Sequence, residues 1–217
     1  MFDALLKIGG SLVRHAELRQ LAAAWSELAQ TYRLLILPGG GPFADAVRAA
    51  DERFQLGDSA AHWMAILAMD QYAHLLAALC PRAVLGHELE SLASASAEGR
   101  LSILAPSRLL QHRDPLPHRW EVTSDSIAAW LAAETGIQRL VLLKSVPGLS
   151  ILEGDNTERL VKNTSPHALA ESGLVDAYFA RALSPATTCW LIDGRRPERL
   201  SQLLAEGQTI GSQVCGQ

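Results

Sequence analysis

Three short apolar runs, residues 4–8, 33–37 and 140–143, each break off into a loop of small residues, and this pattern limits the chain more than any other feature. The runs are too short for helices and show no polar alternation, so each reads as a strand buried on both faces. Helical spacing fills the stretches between them. Residues 17–32 are rich in alanine and leucine, Pro42 opens a second helix where its missing N–H costs nothing, and residues 58–79 form a third, with Asp58 or Ser59 as its cap. Strands alternating with helices predict an α/β chain, a three-layer α/β/α sandwich around a mostly parallel sheet. Short strands at 83–85 and 101–104 enclose a helix at 91–97, and residues 112–118, with two prolines, read as an exposed loop. Thr123, Ser124 and Asp125 start a helix running to about residue 134. Helices at 166–172, 176–182 and 197–205, a strand at 189–192 and a short closing strand complete the pattern. No repeat or linker divides the 217 residues, so one domain spanning 1–217 is expected.

Charge and cysteine usage narrow the partners. With 19 Lys and Arg against 23 Asp and Glu, the net charge is −4. That leaves no basic field for nucleic acid or an anionic membrane. No apolar run approaches the roughly 20 residues that span a bilayer, and residues 1–7 are too few for a leader. Cys80, Cys189 and Cys215 lie far apart with no C-x-x-C pair. Reduced thiols and a cytoplasmic location are expected, with neither a disulfide frame nor a zinc site. Of the 19 basic residues only three are lysine, Lys7, Lys144 and Lys162. An ammonium is a compact point charge that can follow a moving phosphoryl group, which a planar guanidinium does less well. Lys7 and Lys144 stand beside glycine-containing loops, whereas Lys162 is expected at the surface.

In an open α/β sheet, ligands bind beyond the carboxyl ends of strands. There the chain places Lys7-Ile8-Gly9-Gly10-Ser11, Pro38-Gly39-Gly40-Gly41 and Lys144-Ser145-Val146-Pro147-Gly148. Glycines let backbone N–H groups approach an anion, and a following helix turns its positive end toward it. A Gly-Gly turn alone is also an ordinary structural turn; two such loops, one flanked by a strand lysine, favour a phosphate site. Neither G-x-x-x-x-G-K-[ST] nor G-x-G-x-x-G is present.

Strand-Lys-x-Gly-Gly-Ser, strand-Pro-Gly-Gly-Gly about thirty residues later, and Thr-Ser-Asp-Ser opening a helix together resemble the amino acid kinase family. That family includes acetylglutamate, aspartate, uridylate and isopentenyl phosphate kinases. The likeness runs along nearly the whole chain. It implies an ATP-dependent small-molecule kinase, with acceptor bound over residues 1–120 and nucleotide over 121–217. It further implies that Lys7 meets the transferring phosphoryl group and that Gly9, Gly10, Gly40 and Gly41 supply N–H donors. Ser11, Ser145, Val146 and Gly148 would join Gly9 and Gly10 around the nucleotide, and Gly39 would join Gly40 and Gly41 at the acceptor. Asp125 matches the aspartate that orients the catalytic lysines, although it or Ser124 also serves as a helix cap. No cluster of His, Cys or carboxylates has metal-ligand spacing, so Mg²⁺ is expected to be held mainly by ATP phosphates. A homo-oligomer is expected.

Two stretches depart from the family pattern. Many members carry a late lysine after a Gly-[Met/Leu]-[Val/Ile] step, where this chain reads Gly173-Leu174-Val175-Asp176-Ala177. The nucleotide loop, usually Thr-[Asp/Asn]-Val-Asp-Gly, begins here with Lys144. Lys144 either replaces the missing cation, as a third catalytic residue beside Lys7 and Asp125, or is a solvated strand-end lysine. These departures, with residues 62–71 and 192–199, resemble the short branch associated with one-carbon cofactor synthesis. That branch includes an aminomethylfuran phosphate kinase of methanofuran synthesis, which implies a phosphate monoester as acceptor and a diphosphate as product. Carboxylate kinases of the acetylglutamate or aspartate type, and storage proteins on the same fold, are the alternatives. Arg48, Arg53 and His62 are candidate acceptor contacts.

Overall fold

A computed structural model describes residues 1–154 and 157–215. Its strands are Ala4–Ile8 (β1), Leu34–Pro38 (β2), Val84–Gly86 (β3), Ser102–Leu104 (β4), Arg139–Lys144 (β5), Ser150–Leu152 (β6), Glu158–Leu160 (β7), Asn163–Thr164 (β8), Thr188–Asp193 (β9) and Ser212–Val214 (β10). The α-helices are Leu18–Leu28 (α1), Gly41–Phe54 (α2), Asp58–Leu79 (α3), Leu89–Ala97 (α4), Ser107–Arg113 (α5), Ser124–Thr135 (α6), Pro166–Glu171 (α7), Phe179–Ala182 (α8) and Pro197–Glu206 (α9). A 3₁₀ turn, Gly10–Arg14, follows β1.

Eight strands form one sheet in the order β3-β4-β2-β1-β5-β9-β10-β8. Among the described residues of this sheet only the β9–β10 pair is antiparallel, and a separate β6–β7 hairpin is antiparallel as well. β1, β2 and most of β5 are fully buried, as their uniformly apolar runs require. Leu5, Leu35, Leu140 and Leu142 pack on one face under α6, while Leu6, Ile8, Val141 and Ile192 pack on the other under α1 and α9. The three-layer sandwich anticipated from the strand–helix alternation is therefore the observed architecture.

Several local expectations are corrected. Neither Asp58 nor Ser59 caps α3: the cap is Gly57, at φ 82°, and no side chain bonds there. Asp58 instead occupies the first turn, where its charge suits the helix dipole. Residues 112–118 are only partly an exposed loop, because α5 runs through Arg113 and Leu116 is buried. The expected helix at 176–182 shrinks to Phe179–Ala182. The β6–β7 hairpin and β8 were not anticipated; they are two or three residues long and mostly exposed, so no apolar run marks them.

Candidate active site

The register of the central strands brings two lysines onto one face. Lys7 lies opposite Leu142, two residues before Lys144, and side chains two apart in a strand share a face. Both ammonium groups therefore lean toward α6. Thr123 caps that helix, its Oγ1 accepting from Asp125 N at 3.3 Å, and Asp125 is its second residue. Lys7 Nζ sits 2.9 Å from Asp125 Oδ1 and Lys144 Nζ 2.7 Å from Asp125 Oδ2. Lys7 and Asp125 are each only 4% exposed.

Burial lowers the Lys7 pKa, opposed by Asp125 and reinforced by Lys144. Burial alone would raise Asp125, but Lys7 and Lys144 together hold its carboxyl below the ordinary range. Asp125 is thus an anion shared between two cations. Two amino groups flank a single carboxylate in a largely buried setting, where electrostatic interactions are strong.

The two glycine loops touch. A Cβ on Gly10 would fall 2.6 Å from the Gly41 amide nitrogen, and one on Gly40 would fall 2.4 Å from the Ala44 Cβ. A side chain is excluded at Gly10 by the Gly41 backbone and at Gly40 by the Ala44 methyl. The amides of Gly10, Gly40 and Gly41 have no hydrogen-bond partner among the described residues. Gly9 and Gly39 differ from expectation: their N–H groups already donate to Leu143 O and Ile8 O, each at 2.8 Å, and are not available to a phosphate. They end the strands and leave donation to their neighbours. Ser124 Oγ stands beside Gly39, 3.1 Å from where its Cβ would be.

Beyond these loops opens a cleft of about 360 Å³ between α2, α3 and the segment leading into α6. Its apolar wall includes Ile66, Met69 and Ile127, and its cations are Arg14, Arg48 and Arg119. Asp45 ties Arg14 (2.7 Å) to Arg48 (2.8 Å). The Arg48 guanidinium lies over the Trp120 ring, 5.3 Å from its centroid, and Trp120 Nε1 donates to Asp51 at 2.8 Å. Ser11 and His62 also line the cleft. His62 stacks on His118 at 4.3 Å, and burial, then His118, lowers its pKa. Arg53 does not join this group: its guanidinium packs over Phe54, 5.0 Å away.

In the nucleotide loop, Ser145 Oγ bonds Ser11 Oγ at 3.0 Å, joining the β5 and β1 ends. Val146 is half-buried against the core. Gly148 is buried at φ 151°, where a Cβ would come within 2.7 Å of Leu160 and of Ser212. Its place is that of a turn glycine packed under the hairpin, not that of a donor in an open loop. Arg14, Arg119 and Trp120 escaped the sequence reading because they lie in irregular segments with no periodicity. Only their nearness to the glycine loops and to a helix start was visible.

The profile of the amino acid kinase family matches residues 4–189. The chain belongs to the amino acid kinase family. Within it, the chain is 26% identical over 217 aligned positions to the [5-(aminomethyl)furan-3-yl]methyl phosphate kinase of Methanocaldococcus jannaschii, covering 98% of this chain and 97% of that one. Among solved structures it is similar to uridylate kinase from Archaeoglobus fulgidus, at TM-score 0.75 and 18% identity over 99% of this chain and 100% of that one. The isopentenyl phosphate kinase of T. acidophilum superposes at TM-score 0.61 and 14% identity, over 97% and 99% of the two chains. These two likenesses establish the shared fold. As a family member the chain is a phosphotransferase acting on a small molecule. No helix among the described residues is long and apolar enough to cross a membrane.

Proposed function

We propose that this kinase transfers the γ-phosphoryl group of Mg-ATP to a phosphate monoester in the cytoplasm, giving a diphosphate for one-carbon cofactor synthesis. An oxygen of the acceptor phosphate attacks the γ-phosphorus, the bond to the β–γ bridging oxygen breaks, and ADP leaves. The observation that carries this reading is the pair of ammonium groups sharing Asp125, which follows directly on Thr123 and Ser124 in the wall of an arginine-lined cleft. Phosphoryl transfer asks mainly for positioning and for neutralisation of spread negative charge. Residues 1–120 would hold the acceptor through Gly40, Gly41, Arg48 and His62. Residues 121–217 would hold the nucleotide through Ser145 and Val146, completed by Gly10 and Ser11. Lys144 would take the part of the late lysine that other members carry.

Among the described residues no group of three His, Cys, Asp or Glu is placed to hold a metal, which fits Mg²⁺ arriving on phosphate oxygens. Calorimetry should show Mg²⁺ taken up with ATP and not without it; tight uptake by the protein alone would contradict this. Self-association belongs to the same reading, through the α3 face that exposes Met64 and Leu67, and sedimentation of the purified chain tests it.

The cleft also speaks for the acceptor. Three arginines exceed what one carboxylate needs, and Asp58, which lines the cleft and makes no ion pair among the described residues, suits a cationic group remote from the phosphate. An acceptor with a phosphate, a small ring and an ammonium, like that of the M. jannaschii relative, matches the arginines, the apolar wall of Ile66, Met69 and Ile127, and Asp58. Purified protein with Mg-ATP should turn over [5-(aminomethyl)furan-3-yl]methyl phosphate and prefer it a few-fold over the amine-free analogue. An exposed ion pair contributes only about 0.2–1 kcal/mol, so Asp58 sets a preference and not a switch. Turnover of acetylglutamate or aspartate alone would favour a carboxylate kinase, and ATP binding without turnover of any acceptor would favour a storage role.

A further inference from the structure

The late segment that lacks the family's lysine does something specific with its acid. The Asp176 carboxylate gathers five donors. Oδ2 accepts from Thr123 N (3.0 Å), Thr123 Oγ1 (2.7 Å) and Ser126 N (3.0 Å). Oδ1 accepts from Ser126 Oγ and from Tyr178 N, the latter at 3.1 Å. Four of these donors flank Asp125 in the chain. One leads directly to it, because the Thr123 hydroxyl that donates to Asp176 accepts from Asp125 N.

The N-terminus of α6 therefore faces two carboxylates with different partners. A helix start leaves orphan N–H groups and a positive dipole end, which attract the nearest anion. Were Asp176 absent, the obvious anion to fold back onto those groups would be Asp125 itself. Asp176 occupies them, and the Asp125 carboxylate is left pointing at Lys7 and Lys144. We infer that Asp176 is a positioning residue for phosphoryl transfer, holding both flanks of Asp125 so that its carboxylate stays between the two lysines. Asp176 also lies close enough to favour the charged form of Lys7, in the same sense as Asp125. The inference rests on the phosphotransferase reading for its consequence in turnover, but its structural content can be read without substrate.

Asp176→Asn offers one acceptor oxygen where five donors converge, so the flanks loosen. With Mg-ATP and [5-(aminomethyl)furan-3-yl]methyl phosphate, kcat should fall by about 10- to 100-fold, the scale of an ångström-sized misplacement. KM for both substrates should stay within about threefold, since Asp176 touches neither. In an Asp125→Asn background the same change should cost nothing further, because its route runs through that carboxylate. A multiplicative loss there would overturn the inference.

Only three lysines are present, so protein labelled with ¹³C at lysine Cε gives three resolvable signals. Asp176→Asn should move those of Lys7 and Lys144 and leave Lys162 in place. Unmoved signals in a folded variant would reduce Asp176 to a helix cap and overturn the inference. Failure of wild-type turnover would count against the phosphate-monoester reading alone and leave the lysine spectrum to decide this one. If Asp176→Asn does not fold, Ser126→Ala removes one donor and should shift the same two signals less.

Discussion

Lys7→Ala should lose turnover on the order of 100-fold or more while its affinity for ATP changes little. The ammonium is buried and paired with Asp125 before substrate arrives, so much of its electrostatic work is preorganised. Under the proposed function, it stabilises the negative charge that develops on the phosphoryl group during transfer, an interaction stronger at the transition state than in bound ATP. The loss therefore belongs in kcat, and steady-state kinetics with varied ATP separates the two quantities. The substitution is also structurally mild, since Asp125 keeps Lys144 as its partner. Removing Asp125 would leave two largely buried ammonium groups without a counter-charge, at a folding cost of about 3–5 kcal/mol. Unchanged kcat with weaker ATP binding would make Lys7 an ordinary binding residue.

Lys144→Met should cost turnover on a scale comparable with Lys7→Ala, while Lys162→Met should leave it nearly unchanged. Lys144 shares Asp125 with Lys7, but its side chain is 18% exposed against 5% for Lys7. It is the more accessible of the two and the freer to turn from Asp125 toward an arriving phosphate. The late segment carries no lysine, and its Asp176 is bonded at the start of α6. Under the proposed function, the second cation is Lys144 on β5. A crystal structure with a non-hydrolysable ATP analogue should place the Lys144 ammonium within salt-bridge reach of the β- or γ-phosphate. Lys144 still held on Asp125, with the phosphates out of reach and turnover retained in Lys144→Met, would defeat this assignment.

Much of this arrangement was legible because its parts are local. A buried strand needs an uninterrupted apolar run, and residues 4–8 and 140–143 state theirs without ambiguity, so Lys7 and Lys144 could be placed at strand ends. The loops announce themselves through glycine. What sequence could not show was which glycine amides were spoken for, since the partners of Gly9 and Gly39 lie on neighbouring strands and depend on register. Four of the five donors to Asp176 belong to residues 50 and 53 positions away, on α6 and its cap, and no periodicity records a contact of that kind. Arg53 failed for a simpler reason: near the end of α2 it faces Phe54 and not the cleft, a matter of helix phase that spacing alone resolves poorly.

The segment between α5 and α6 walls the cleft with latches of its own. Trp120 is tied to Asp51 on α2, and His118 lies 2.9 Å from Ser59 on α3. Neither latch touches Lys7, Asp125 or Lys144, which rest on the two central strands and the helix above them. Under the proposed function, chemistry and recognition rest on separate parts of the chain. On that reading, a change of acceptor would call for new wall residues and leave the core that aims the lysines as it is.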